Sequence, residues 1–476
     1  AFHFALTESD HEDLRWYLED YLQYPLDPAP IVAARVEKRM AEIGGELFRA
    51  VFQAGDDARD LWATLRAKLD EARVEIITDV RQAAAVPWEL IRDPKTDTPL
   101  ALRAASFVRA QPNPAQTPSL PSPEAGEGRI RILLVICRPG GRADVPFRSV
   151  ASKLIKGLGA SARELFELDV LRPPTFEQLG RTLREAKARG KPYHVVHFDG
   201  HGAHIETPAE SAADILRGLM PLMLSGPRQG SHGYLLFENS KLADNVEFVD
   251  GPSLGKLLVE TGVPVLALNA CRSAHADVGE NPKAQNPNPK TDPQSEIGDS
   301  HSAVRAFGSL AQEVMDAGVA GVVAMRYNVY VVTAAQFVAD LYAALANGQS
   351  LGEAVTMGRK QLAASPLREI AFDPRPLQDW PVPVVYEAAP IQLFPRVGAI
   401  HGVGAIHESP LRKSPLRITV GADSNLQPLT SNIQLPTPDI GFFGRDETLL
   451  ALDRAFDTQS VVLLHAFAGS GKTTTA

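Results

Sequence analysis

His201 and Cys271 are side chains of types that could together cleave a peptide bond, although they stand far apart along the chain. A free thiol titrates near ~8.5 and is mostly protonated at neutral pH, but an imidazole beside it draws it towards the nucleophilic thiolate. The same imidazole can then deliver the proton to the leaving amine. His201 stands in Asp199-Gly200-His201-Gly202, read as a turn after a strand. Glycines there let backbone N–H groups approach a scissile carbonyl, and the N–H of Gly202 and that of Cys271 are expected to form the oxyanion hole. No third member of the set is legible. Taken singly, a cysteine in a buried strand is more often a small core hydrophobe, which is the reading for Cys137. His197, His201 and His204 are closely spaced, yet a four-residue step along a strand does not gather side chains as it does on a helix, so no metal site is expected.

Such a pair needs two neighbouring strands that end on the same edge. From residue 129 the chain reads as α/β, with apolar strand-like runs at 130–136, 165–171, 193–198, 263–269 and 319–325. Helical patterns at 176–188, 252–260, 304–316, 332–346 and 351–362 lie between or after them. This alternation predicts a mainly parallel sheet covered on both faces. In such sheets functional groups gather at the carboxyl ends of the strands, where His201 and Cys271 both fall. A hairpin-like insertion is expected at 234–249, and a polar loop at 276–300. Residues 1–110 read as a smaller α+β region packing on that core, with helical spacing at Leu14, Tyr17, Leu18 and Tyr21 and a short strand near 74–78. A Pro-rich linker is expected over 111–128, the core over 129–390, and a second linker over 391–440.

The 476 residues carry a formal charge of -9, with 44% hydrophobic residues. That balance gives no reason to expect nucleic acid or an anionic membrane as a partner, and no run is long and apolar enough for a spanning helix. Two cysteines, Cys137 and Cys271, are too few for a disulfide scaffold and suit a reducing cytoplasm.

The segments His197-Phe198-Asp199-Gly200-His201-Gly202 and Leu268-Asn269-Ala270-Cys271-Arg272-Ser273 resemble the two catalytic motifs of CHAT peptidases, relatives of caspases and separases. The resemblance continues through 308–312, 317–326 and Asp379-Trp380, and upstream at Val86-Pro87-Trp88-Glu89-Leu90. It implies a caspase-like three-layer sandwich, His201 as general base and acid, Cys271 as nucleophile, and a protein substrate. The expected peptidase chemistry needs no cofactor. Asn269 stands where caspases carry Gln, so caspase specificity is not carried over. Arg326, Arg272 and Asp199 are candidates for the specificity pocket, and Asp292, Glu296 and Asp299 would instead favour a basic residue before the cut.

Near the end of the chain, Ala466-Phe467-Ala468-Gly469-Ser470-Gly471-Lys472-Thr473 matches a phosphate loop apart from its first residue. Backbone N–H groups of Gly469, Ser470 and Gly471 would wrap the β-phosphate of ATP, Lys472 would reach its oxygens, and Thr473 would hold magnesium. With Phe443-Gly444-Arg445-Asp446-Glu447 this resembles the entry of STAND signalling ATPases, whose beginning is expected over 441–476. The chain ends four residues after Lys472, so ATP hydrolysis is not expected of it. The STAND resemblance implies self-association through the ATPase part and an activator as yet unknown. The leading expectation is an inducible protease. The alternatives are a non-catalytic scaffold and a nucleotide switch for which the segment 1–390 serves as a docking part.

Overall fold

The computed structural model describes residues 4–24, 26–78, 86–111, 129–140, 165–207, 230–270, 310–368 and 374–393. Cys271, Arg272, the loop at 276–300 and the phosphate loop lie outside the described residues, as do 112–128 and 394–476. Ten strands form one sheet: β1 (Arg73–Ile77), β2 (Ser106–Ala110), β3 (Ile130–Ile136), β4 (Phe166–Val170), β5 (Val195–Thr207), β6 (Gly230–Glu238), β7 (Val246–Asp250), β8 (Val265–Ala270), β9 (Gly321–Met325) and β10 (Pro383–Glu387). Their order is β1-β2-β10-β9-β8-β5-β3-β4, with β6 and β7 attached beyond β5. β10 runs antiparallel to β9, and every other pairing along that path is parallel.

Alternation along the strands sorts the side chains into two cores, one per face. Val195, Val265, Ala267 and Val323 enter the first, together with Val36 and Ile43 of α2 (Ala29–Phe52). Helices α6 (Val331–Ala346) and α7 (Leu351–Ala364) cover the same face through Phe337, Tyr342, Leu351 and Val355. Val196, Phe198, Leu266, Leu268 and Ala270 enter the second, against Leu179 and Leu183 of α4 (Phe176–Ala188) and Leu254 and Leu258 of α5 (Gly251–Thr261). Each Leu or Val so buried contributes about 1.5–3 kcal/mol relative to exposure. Helix, sheet and helix make the expected three-layer sandwich with a mainly parallel sheet. Local signals start the helices: Thr175 accepts from the N–H of Gln178 ahead of α4, Asp250 from Ser253 ahead of α5, and Ser350 and Glu353 form a reciprocal cap on α7.

The N-terminal region does not stand as a separate layer. β1 and β2 extend the central sheet through β10, and α1 (Glu8–Arg15), α2 and α3 (Asp56–Leu65) pack into the first core. A Cβ on Gly44 would collide with the carbonyl oxygen of Leu90, so α2 meets the turn at 88–90 only because glycine stands there. That turn carries Glu89, 1% exposed and surrounded by three arginines. Arg109 donates to it at 2.7 and 3.1 Å, and the guanidiniums of Arg359 and Arg326 stand 3.7 and 3.9 Å away. Burial alone would raise the Glu89 carboxyl, but the three cations outweigh it and hold the group below the usual carboxylate range. Burial, reinforced by Arg109, lowers the Arg359 guanidinium to about 10 despite the attraction of Glu89.

Candidate active site

β3, β5 and β8 lie side by side and parallel, so their carboxyl ends share one edge. The chain leaves β3 for β4 on one side and returns through α4 to β5 on the other, which makes the β3–β5 junction a point where strand order reverses. Open α/β sheets bind ligands outside the carboxyl ends at such points. The register is direct: Asn269 pairs with Asp199, and Ala270 with Gly200. The residue before Cys271 is therefore beside the residue before His201.

β5 differs here from the turn expected at 199–202. It runs unbroken to Thr207, leaving β3 and β8 after Gly200 and continuing as a ladder with β6, with His201 opposite Leu236 and Gly202 opposite Leu235. The reason is the hairpin β6–β7, which supplies an antiparallel partner beyond the sheet edge and keeps the backbone extended. Gly200 is required at the crossing: a Cβ there would lie 2.9 Å from the Phe198 ring and 3.1 Å from the Cys137 carbonyl oxygen. His201 is 6% exposed, and Gly202 is half-buried.

A buried polar network underlies His201. Arg138, just past β3 and 2% exposed, donates Nη2 to Asp199 Oδ2 at 3.0 Å. Its Nη1 donates to the carbonyls of Asp199 at 2.7 Å and Cys137 at 2.8 Å. From the other side Asn269 Nδ2 donates to Asp199 Oδ1 at 3.1 Å. Desolvation raises the Asp199 carboxyl, against the pull of Arg138, Asn269 and the His201 charge. Asp199 is accordingly a buried joint between three strands rather than a group facing a substrate. Arg326 is likewise turned inward: 5% exposed, it donates Nη1 to the Val86 carbonyl at 2.7 Å and stands in the Glu89 cluster. Both are candidates for the specificity pocket, and in the structure each is buried against an opposite charge. Arg138 is not singled out by the sequence, and Asn269 only as a departure from caspases. Strand parity is the available signal, since Asp199 and Asn269 lie two residues before His201 and Cys271.

The neighbouring histidines are packed. His194 Nδ1 accepts from the Arg131 N–H at 3.0 Å. His197 is 1% exposed, stacks on Tyr342 and shares a 3.1 Å hydrogen bond with its hydroxyl. Burial lowers the His197 imidazole from 6.5 to about 4. The unfolded chain therefore binds a proton between those values that the folded chain does not, so stability is full above pH 6.5 and falls as pH drops towards 4. Between pH 7 and 4.5 this amounts to about 2–3 kcal/mol. In His197→Gln, urea unfolding at the two pH values is expected to lose that much of its pH dependence; an unchanged difference would contradict the assignment. Cys137 is a core thiol: fully buried, it donates Sγ to the Pro174 carbonyl at 3.3 Å, and burial pushes it well above the usual thiol range.

Among the described residues no helix is long and apolar enough to cross a membrane. Compared with known families, residues 45–394 match the model of the CHAT domain. That span reaches from within α2 past β10 and includes the segments 197–202 and 268–273. No curated protein matches the chain.

Proposed function

Because the chain belongs to the CHAT domain family, we propose that it is a cysteine endopeptidase in which His201 and Cys271 form the catalytic dyad. The observation that carries this reading is the register of β5 and β8, which sets the residues before His201 and Cys271 side by side at the sheet edge next to the reversal point between β3 and β5. In the proposed reaction the Cys271 thiolate attacks the scissile carbonyl, forming a C–S bond, and backbone N–H groups of Gly202 and Cys271 receive the oxyanion. His201 protonates the departing amine as the C–N bond breaks. It then takes a proton from water as hydroxide attacks the thioester, and the thiolate is released. The substrate is a protein. Asp199 and Arg326 are assigned to holding the fold, and the residue preceding the cut would be chosen by groups outside the described residues, Arg272 among them.

We further propose that activity is induced. The phosphate-loop match at Gly469, Ser470, Gly471, Lys472 and Thr473 supports a STAND-type ATPase that binds ATP and magnesium, self-associates on an activating signal and switches on the peptidase in the cytoplasm, in signalling or defence.

The test is labelling with a library of acyloxymethyl-ketone peptides, with and without ATP, followed by mapping of the modified residue by mass spectrometry. Label is expected on Cys271, dependent on His201, and absent from Cys137, whose buried thiol is the internal control. A Cys271 that stays unlabelled, or labels equally in His201→Ala, would instead support the scaffold alternative.

A further inference from the structure

Resting on that reading, we propose that Asn269 is a positioning residue that locks the two catalytic strands in register through the Asp199 carboxylate. On the face of β8 that bears Val265 and Ala267, Asn269 is the first polar side chain, and it is 3% exposed. A buried amide is costly unless hydrogen-bonded, so an apolar residue would serve packing alone better. Among the described residues the amide makes one side-chain bond, across the strand pair and in register, to Asp199 Oδ1 at 3.1 Å. Asp199 is in turn clamped by Arg138, so β3, β5 and β8 are tied together two residues ahead of the reacting groups. The charged groups around Asp199 are Arg138 on the β3 side and His201 on β5 itself. Through Asp199 the Asn269 amide acts on the strand pair that leads to His201 and Cys271. Its part is to hold the distance and facing of His201 relative to the nucleophile, to which proton transfer is steeply sensitive.

Asn269→Leu removes the tie while remaining compatible with a buried strand. Asn269→Asp is isosteric and sets two carboxylates face to face, which can bond only while they share a proton. The experiment measures alkylation of Cys271 by iodoacetamide from pH 5 to 9 in the full chain, alongside thermal unfolding. For Asn269→Leu the rate at neutral pH is expected to fall about three- to tenfold, towards but not below that of His201→Ala. For Asn269→Asp it is expected to track the wild type in acid and to collapse once the shared proton is lost. Merely weakened packing would not produce that second limb. The Asp variant retains the native shape where the proton is held, so its profile decides the matter even if the Leu variant unfolds. Wild-type rates and an unchanged pH profile in folded Asn269→Asp would overturn the positioning role and leave the dyad standing. A wild-type Cys271 whose alkylation ignores His201→Ala would overturn the dyad itself, and the positioning role with it.

Discussion

In His201→Ala, cleavage of a protein substrate is expected to fall by roughly 10²–10⁴-fold, whereas alkylation of Cys271 by iodoacetamide at pH 7 falls by only about ten- to a hundredfold. The two readouts separate because they ask different things of the imidazole. Alkylation needs only the thiolate, which His201 would supply in the proposed dyad by accepting the thiol proton. Cleavage also needs that proton returned to the leaving nitrogen, and alanine can do neither. The wild-type alkylation rate should already be near its plateau at pH 6–7, as expected of a thiol ionised by a neighbouring imidazole. In the alanine variant the rate should climb about tenfold per pH unit until an ordinary thiol, near ~8.5, is ionised. Superimposable profiles for wild type and variant, measured by quenched labelling and mass spectrometry, would remove His201 from the reaction.

The second large effect is on folding. Glu89→Gln takes away the carboxylate held among Arg109, Arg359 and Arg326, leaving three guanidiniums in a buried site. Breaking a buried ion pair from one side typically costs about 3–5 kcal/mol. The cluster also joins the turn at 88–90 to β2, to the end of β9 and to α7, so the loss should unfold the sheet edge cooperatively. Urea denaturation should show an unfolding free energy lowered by that amount, and adding Arg359→Met should recover part of it, because it removes one of the uncompensated buried cations, at the cost of its bonds to the carbonyls of Phe107 and Pro383. The pH sign follows from the lowered Glu89 carboxyl. Its contribution is present above the ordinary carboxylate pKa and is lost as pH falls through the lower, folded value. A Glu89→Gln protein as stable as the wild type at pH 7 would mean that the cluster is silent in folding.

How far the molecule could be read from its residues depends on the range of the interactions involved. The strands at 130–136, 193–198, 263–269 and 319–325 and the helices between them announce themselves through periodicity, because each pattern records only which face of a short segment meets the core. His201 and Cys271 are legible for a similar reason: few residue types can do the chemistry, and the glycines beside His201 mark a close approach of backbone. The turn expected at 199–202 is a misjudgement because two glycines signal a break, while the distant hairpin at 230–250 supplies the partner that keeps the segment extended.

Charge partners lie beyond that reach. Arg138 and Asp199 are 61 residues apart, and Arg326 meets Val86 across 240. Nothing in the local pattern around Arg326 or Asp199 distinguishes a buried clamp from a group awaiting substrate, since both look like isolated charges at the ends of apolar strands. By itself the amino-acid sequence determined the alternation of elements, the chemistry available to the candidate dyad and the family resemblance, all properties of short segments. The tertiary structure alone decided that β5 and β8 are in-register neighbours, that the N-terminal region shares the central sheet, and that Asp199 near His201 is bonded to Arg138 and Asn269. The physical reason is that strand adjacency and burial of charge are set by the collective packing of both faces of the sheet, which no single segment encodes.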